Sequence, residues 1–126
     1  YSKKGPEKVD DFIDPILELG AHVAPTGLSF YDGDMFPSKF KNTLFMTLHG
    51  SWNRSRKVGY KVIAVHFNEK GELLYQKDFI TGWLQKKDGR ELVLGRPAAV
   101  LQKSDGSILI SDDGANIIYK VTYQKT

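Results

Sequence analysis

Cysteine is absent from this 126-residue chain, and so are long apolar runs. The lack of cysteine excludes disulfides, thiolate metal sites and cysteine nucleophiles, and it says little about the cellular compartment. No apolar run approaches the roughly 20 residues that a membrane-spanning helix needs. A basic segment followed by an apolar one, the mark of a signal peptide, is also missing. The sequence therefore predicts no membrane span.

A dense patch of positive charge is missing too, although the net charge is +3 and the pI is near 9.1. The densest basic cluster, formed by Arg54, Arg56 and Lys57, is too short to predict nucleic-acid binding. The composition, 40% hydrophobic and 26% charged, excludes collagen-like and fully disordered chains. The length suits one domain with a modest core. Because the chain begins with Tyr1 rather than Met, we expect a processed product or a fragment.

Residues 1–23 are predicted to be an N-terminal tail and connector. The first 11 residues are polar and carry six charges around Gly5 and Pro6, which is typical of a loose tail. Residues 12–19 are mostly apolar, and Pro15 argues against a long helix there. A single helical turn and an extended apolar anchor both fit this segment.

From residue 24 onward, short apolar runs separated by turn signals predict an all-β fold. The predicted strands cover residues 27–31, 43–49, 59–67, 72–80, 97–102, 107–111 and 116–123. Residues 85–94 are predicted to be a charged loop. The strand at 59–67 is mostly apolar on both faces, so we expect it to be sandwiched between two sheets.

The same order of strands and turns occurs twice. Residues 25–33 resemble 97–106, residues 43–50 resemble 107–114, and residues 59–65 resemble 116–121. Repeats of this kind are typical of successive blades of a β-propeller. They predict a four-stranded blade over 24–84 and an incomplete three-stranded blade over 95–126, whose missing strand would come from elsewhere in the ring. A β-sandwich with similar amphipathic strands is the alternative.

Polar residues follow the strand at 43–49 directly. They are His49, Gly50, Ser51, Trp52, Asn53 and Arg54. A strand that ends in this way presents polar groups from a rigid support, as binding and catalytic sites usually do. The alternative is an ordinary polar turn, with Trp52 capping the core and Arg54 in solvent.

Four motifs make the chain similar to a known family. They are HGSWNR at 49–54 followed by KVGY at 57–60, HVAPTG at 22–27, FITGW at 79–83, and GRP at 95–97 leading to SDD at 111–113. Together they resemble the C-terminal region of sorbosone dehydrogenase-like proteins, soluble quinoproteins related to the glucose and aldose sugar dehydrogenases that depend on pyrroloquinoline quinone (PQQ). The resemblance covers about residues 14–124.

This resemblance implies a six-bladed β-propeller that binds PQQ and calcium at the mouth of its channel and oxidises a sugar by hydride transfer. The chain would form about the last two blades, covered by the remaining blades or by copies of itself. An electron acceptor such as a cytochrome or quinone, and a periplasmic or secreted location, are also implied. The hydride-abstracting base and the calcium ligands would lie largely in the other blades. We therefore predict no metal-binding residue here, leave the catalytic residues unassigned, and expect no activity for the chain alone.

The resemblance and the chemistry of PQQ together suggest cofactor-binding residues. PQQ carries three carboxylates, which favour guanidinium partners, on a flat ring system that favours an aromatic partner. The candidates are Arg96, Arg54, His49, Asn53, Trp52 and Lys57. Arg96 matches a family position that contacts the cofactor. Ala98 stands where glucose dehydrogenase relatives have a second arginine.

The remaining polar and aromatic residues are predicted to be structural. We expect residues 112–114 to form a turn rather than a calcium loop, His22 and His66 to be structural or surface residues, and Phe30, Tyr31, Phe36 and Phe40 to lie in the core. Two rival functions are a non-catalytic propeller module that binds carbohydrate or a protein, and a metal-dependent lactonase. The lactonase is disfavoured because no carboxylates and amides converge from several strand ends.

Overall fold

The computed structural model describes residues 13–52 and 55–126. These residues form nine β-strands and a short 3₁₀ helix at Ser38–Phe40. The strands are β1 (Pro25–Tyr31), β2 (Thr43–Leu48), β3 (Lys61–Phe67), β4 (Leu73–Ile80), β5 (Leu84–Lys87), β6 (Arg90–Val93), β7 (Pro97–Gln102), β8 (Ile108–Asp112) and β9 (Ile117–Val121). Within these two described ranges, no helix is long and apolar enough to cross a membrane.

The strands form three antiparallel sheets. The first has the order β1-β2-β3-β4, the second is the hairpin β5-β6, and the third has the order β7-β8-β9. Every pairing joins strands that are consecutive in the chain, as expected for blades that fold from local sequence. The all-β prediction is confirmed. The assignment of the first and third sheets to a six-bladed ring stays a prediction.

The hairpin of β5 and β6 replaces the charged loop predicted at 85–94, and that prediction is wrong. Lys86 pairs with Glu91 and Lys87 with Arg90. The turn is Asp88-Gly89, with both residues at positive φ, and Asp-Gly favours this two-residue turn. The charged flanks lack the apolar alternation of a half-buried strand, so only the turn residues indicated a hairpin.

The main core lies between the first and third sheets. It contains Tyr31, Phe36, Phe45, Tyr60, Val62, Ala64, Trp83, Val100, Ile108 and Ile110. The two sheets come closest where β1 meets β7: a Cβ on Gly27 would lie only 2.8 Å from the Cα of Ala99. Thr47 donates a hydrogen bond from its hydroxyl to the Ala98 carbonyl across this contact, at 2.9 Å. A side chain larger than glycine at position 27 would push the sheets apart.

A second apolar cluster covers the opposite face of the first sheet. Leu48, Ile63 and Val65 are buried there, and Leu17 and Leu19 pack against them. Residues 13–24 have no helix or strand, so the apolar segment is an extended anchor and not a helical turn. Both faces of β3 are therefore covered, but this face is covered by the N-terminal segment and not by the sheet that was predicted there.

The predicted aromatic core is correct except for Phe30. Tyr31 and Phe36 are buried with their rings in edge contact, and Phe40 packs against the same cluster. Phe30 is 58% exposed and lies 6.0 Å from the ring of Phe67. Because side chains alternate along a strand, Phe30 must point away from the face that buries Tyr31.

The turn between β7 and β8 makes the stability of the fold depend on pH in the acid range. Asp105 Oδ1 accepts hydrogen bonds from the hydroxyl (2.5 Å) and the N–H (2.9 Å) of Ser107. These bonds lower the pKa of Asp105 from 3.8 to about 2. Since the folded state favours the charged form, this stabilisation is present above the unfolded pKa and is lost as the pH falls through the folded one.

We therefore expect the free energy of unfolding of the intact protein to fall between pH 5 and pH 2, and Asp105→Asn to make that fall shallower. Urea unfolding at several pH values measures the slope, with Glu69→Gln as a control at another exposed turn. Equal slopes in the wild type and Asp105→Asn would contradict this assignment.

Candidate functional site

Several loops meet at one end of the sheets. The register places the start of β1 and the start of β3 beside the end of β2, and the start of β7 beside the end of β8. Direct contacts of His49 and Arg96 join the two sets of strand ends. The polar residues after β2 therefore lie beside the segment that leads into β7 and the turn that follows β8. This end of the molecule carries most of the predicted site residues.

Arg96 connects the two sheets at this end. Its Nε donates to the carbonyl of His49 at 3.3 Å, and its Nη2 donates to the carbonyl of Gly50 at 2.7 Å. The guanidinium carbon lies 5.6 Å from the centre of the Tyr60 ring, which adds a cation–π contact. Arg96 thus holds the loop after β2 in place.

His49 forms a second connection, with Asp113. Its Nε2 lies 2.7 Å from Asp113 Oδ1, and the side chains are 18% and 65% exposed respectively. An ionised carboxylate can only accept a hydrogen bond, so Nε2 carries the hydrogen and Nδ1 of a neutral ring is left as an acceptor. His49 is thereby fixed in one tautomer, in the arrangement by which carboxylates orient a histidine base.

Asp113 is a site residue that sequence reasoning missed, because it was assigned only to a turn. The internal repeat contained the signal. In the alignment of 43–50 with 107–114, His49 and Asp113 occupy the same position, one residue beyond equivalent strands. Equivalent strand ends of adjacent sheets lie side by side, so the two residues meet.

Asp112 holds the backbone around this site. It is 2% exposed. Its Oδ1 accepts the N–H groups of Arg96 (2.7 Å) and Ala115 (2.9 Å), and its Oδ2 accepts the hydroxyl of Tyr119 at 3.2 Å. Burial raises the pKa of Asp112, but these hydrogen bonds together outweigh it and leave the pKa below its ordinary value. Asp112 therefore stays ionised and closes the turn after β8.

The loop after β2 has an unusual backbone. Gly50, Gly59 and Tyr60 all have positive φ, and for a large residue such as Tyr60 this conformation is strained. A Cβ on Gly50 would lie 2.5 Å from the Tyr60 ring. The hydroxyl of Tyr60 donates to the Ser51 carbonyl, and Ser51 Oγ accepts the Val58 N–H at 3.1 Å. These bonds close the loop on itself.

The other predicted site residues fall in three places. Trp52 is 84% exposed, so the alternative that it caps the core is wrong. It lines an open pocket of about 350 Å³ with His22 and Gly50. Lys57 is half-buried, and its N–H donates to Glu91 Oε2 at 3.0 Å. Asn53 and Arg54 lie outside the described residues.

The described residues at this end do not form a cluster of metal ligands. In the part of the chain that the structure describes, no three or more His, Asp or Glu side chains lie close enough together to hold a metal ion. His66 is buried, with Nδ1 3.2 Å from the hydroxyl of Thr43 and its ring stacked on Tyr75. His66 is therefore structural, and His22 is an exposed residue.

The contacts of Arg96 change the stability that we expect for its variants. From the sequence, replacing Arg96 should hardly change stability. In the structure, Arg96→Ala removes two charge-assisted hydrogen bonds and a ring contact between the sheets, so we expect a loss of about 1.5–3 kcal/mol. Arg96→Lys should recover only part, because an ammonium cannot reproduce the planar contacts.

Cofactor-free thermal and urea unfolding of the intact protein measures both variants. Lys103→Ala, an exposed cation in the turn after β7, is the control. If Arg96→Ala and Lys103→Ala unfold alike, Arg96 is not the connection between the sheets that its contacts indicate.

Two solved structures are similar to this chain. One is the holo form of the PQQ domain of pyranose dehydrogenase from Coprinopsis cinerea, with a TM-score of 0.60 and 24% identity over 81% of this chain and 27% of that chain. The other is the calcium structure of a family AA12 carbohydrate-active enzyme from Trichoderma reesei, with a TM-score of 0.61 and 23% identity over 86% and 26%. At these identities the likeness shows the fold.

Proteins with similar sequences are also found. An uncharacterized protein of Borreliella burgdorferi is 42% identical over 126 residues, which are 99% of this chain and 32% of that protein. The PQQ-dependent pyranose dehydrogenase of C. cinerea is 37% identical over 62 residues, 48% of this chain and 8% of that enzyme. This chain thus spans about a third of the first relative. The family model described as TrAA12-like matches residues 7–124, and the chain belongs to that family.

Proposed function

We propose that this chain is the C-terminal part of a quinoprotein sugar dehydrogenase, with about two blades of a six-bladed propeller. The whole protein would oxidise an aldose or a sugar aldehyde, with PQQ as hydride acceptor. One observation carries this proposal: Arg96 and the His49–Asp113 pair join two sheets at one end, in a chain of a family with a PQQ-dependent pyranose dehydrogenase among its relatives. The proposal includes the finer assignment of the whole protein to the sorbosone dehydrogenase-like or glucose dehydrogenase group.

The residues at this end fit PQQ. A guanidinium has more N–H donors than the two that Arg96 uses on carbonyls, so it can also hold a carboxylate. Trp52 presents an exposed ring on which a flat molecule can stack, and Lys57 supplies a further cation. When bound, PQQ accepts two electrons as a hydride from the sugar. We expect Asn53 and Arg54, next to Trp52 in sequence, to contribute to the same site.

Arg96 and His49 have different roles in this proposal. Arg96 fixes the loop that presents Trp52. Oxidation of a sugar hydroxyl releases a proton from oxygen as well as a hydride from carbon, and a base must accept that proton. His49 can accept it at Nδ1 because Asp113 holds the hydrogen of Nε2.

The rest of the proposed protein would cover two apolar faces. Leu28 and Phe30 on the first sheet, and Leu101 and Ile118 on the third, are all more than half exposed. Neighbouring blades or copies of this chain would bury them. Calcium ligands would come from outside this chain. The acceptor of electrons from reduced PQQ would be a cytochrome or quinone, and the protein would work in the periplasm or be secreted.

The test is to add PQQ and calcium to the intact protein and record the bound-quinone spectrum and dye reduction by a panel of sugars. We expect a quinone spectrum and turnover with at least one aldose, and the panel compares pyranoses with sorbosone. Failure to bind PQQ would leave the non-catalytic binding module as the function. We expect the isolated 126 residues to be inactive, and dye reduction by them alone would contradict the proposed division of the site.

A further inference from the structure

Residues His49, Gly50 and Ser51, here called the HGS segment, have a hydrogen-bond partner for every polar group of their backbone. Their N–H groups donate to three carbonyls, those of Ala24 (2.9 Å), Val23 (2.9 Å) and Val58 (3.0 Å). Arg96 donates to the first two carbonyls of the segment, at 3.3 and 2.7 Å. The hydroxyl of Tyr60 donates to the third, that of Ser51. The protein itself therefore fixes the conformation of this segment through six backbone groups.

Tyr60 supports the HGS segment with its ring as well as with its hydroxyl. The ring is packed so closely on Gly50 that a Cβ at that position would collide with it. The same ring lies 5.6 Å from the guanidinium carbon of Arg96, which itself binds the segment. Tyr60 and Ser51 are 3% and 4% exposed, so water has little access to the Ser51 carbonyl if the hydroxyl is removed. Tyr60 therefore acts on the segment directly and through Arg96.

The backbone at Tyr60 is held in an unfavourable conformation. Its φ is 57°, in the left-handed region that asparagine and aspartate enter more readily than a bulky aromatic residue. Gly59 before it has a φ of 85°, and a Cβ there would lie 2.8 Å from the Cα of Gly50. Strain of this kind persists only where the surrounding contacts outweigh it, and it is concentrated at ligand sites. Here the strained residue is the one whose side chain holds the segment that leads into Trp52.

We propose that Tyr60 is a positioning residue, which holds the HGS segment in the conformation that presents Trp52 to a ligand. Trp52 directly follows the segment and is 84% exposed, so the place of its ring depends on the backbone before it. A ligand that stacks on a platform already in place does not lose affinity to the ordering of the loop. The inference rests on the proposed function, under which this ligand is PQQ.

Hydrogen exchange of the intact, cofactor-free protein tests whether Tyr60 orders the segment. Tyr60→Phe keeps the ring and removes only the hydroxyl, so we expect the amides of residues 49–51 to exchange about fivefold to tenfold faster than in the wild type. Tyr31→Phe is the matched control. Tyr31 is 1% exposed, and its hydroxyl donates to the carbonyl of Gly106 at 2.7 Å, at the other end of the sheets. It should leave exchange at residues 49–51 within about twofold of the wild-type rates. Equal rates in the wild type and Tyr60→Phe would overturn the inference.

Titration of the same proteins with PQQ, with and without Trp52, distinguishes positioning from a general effect on stability. Tyr60→Phe should weaken PQQ binding about fivefold to tenfold when Trp52 is present, and less than about twofold in the Trp52→Ala background, because the hydroxyl acts through the loop that presents the ring. Tyr31→Phe should change the affinity less than about twofold in both backgrounds. Equal effects of Tyr60→Phe with and without Trp52 would make Tyr60 a residue of the core alone and overturn the inference. If the wild type binds no PQQ, the proposed function fails, and the exchange rates alone decide whether Tyr60 orders the segment.

Discussion

Asp112→Ala is expected to destabilise the intact protein by about 2–3 kcal/mol, because it leaves several partly buried donors without an acceptor. The carboxylate of Asp112 is 2% exposed and accepts the N–H groups of Arg96 and Ala115 and the hydroxyl of Tyr119. These donors are partly buried, so water can replace the lost acceptor only in part. The site is also tightly packed, since a Cβ on Gly95 would collide with this carboxylate.

Asp112→Asn should cost less than Asp112→Ala. The amide keeps the shape and one acceptor oxygen, but its NH₂ group would face a donor that the carboxylate now satisfies. Asp113→Ala is the matched control, since it removes a neighbouring carboxylate that is 65% exposed, and we expect it to cost less than about 1 kcal/mol. Cofactor-free urea unfolding measures all three variants. Similar losses for Asp112→Ala and Asp113→Ala would show that Asp112 does not hold the turn.

The repeat in the sequence predicted the larger features of the fold. Residues with the same order of apolar and turn positions form the first and third sheets, because alternation and turn residues act locally. The extended N-terminal segment was one of two alternatives. Pro15 excluded a long helix there, but only packing against Leu48 and Val65 distinguishes a helical turn from an anchor.

The failures have specific physical causes. The strands of the β5–β6 hairpin have only four residues each and are mostly exposed, so no apolar pattern indicated them, and their pairing depends on the Asp88-Gly89 turn. Phe30 is predicted in the core as one of a set of aromatic residues, although its register places it on the opposite face from Tyr31.

The candidate site was only partly predictable, because its connections are between residues far apart in the chain. The motif after β2 indicated His49 and Trp52, and the GRP motif indicated Arg96. That Arg96 bonds the carbonyls of His49 and Gly50, and that Asp113 bonds His49, depends on how two sheets pack. The family resemblance and the residue type predicted Arg96 as a ligand of the cofactor, and they left out the structural role that its contacts show.

His49→Gln is expected to lower kcat of the intact protein with an aldose by about 10²–10⁴-fold if His49 is the base that accepts the hydroxyl proton. Glutamine can still donate a hydrogen bond to Asp113, but it has no basic nitrogen. PQQ affinity should change much less than kcat, because the proposed carboxylate partners, Arg96 and Lys57, remain. Cofactor titration and steady-state dye reduction separate the two effects.

Asp113→Asn should lower kcat less than His49→Gln, since it removes the group that orients His49 and keeps the imidazole itself. Asp105→Asn makes the same chemical change in the turn at the opposite end of the sheets, and its kcat should match the wild type. A His49→Gln enzyme with wild-type kcat but weakened PQQ binding would instead make His49 a cofactor ligand, and the base would then lie elsewhere in the protein.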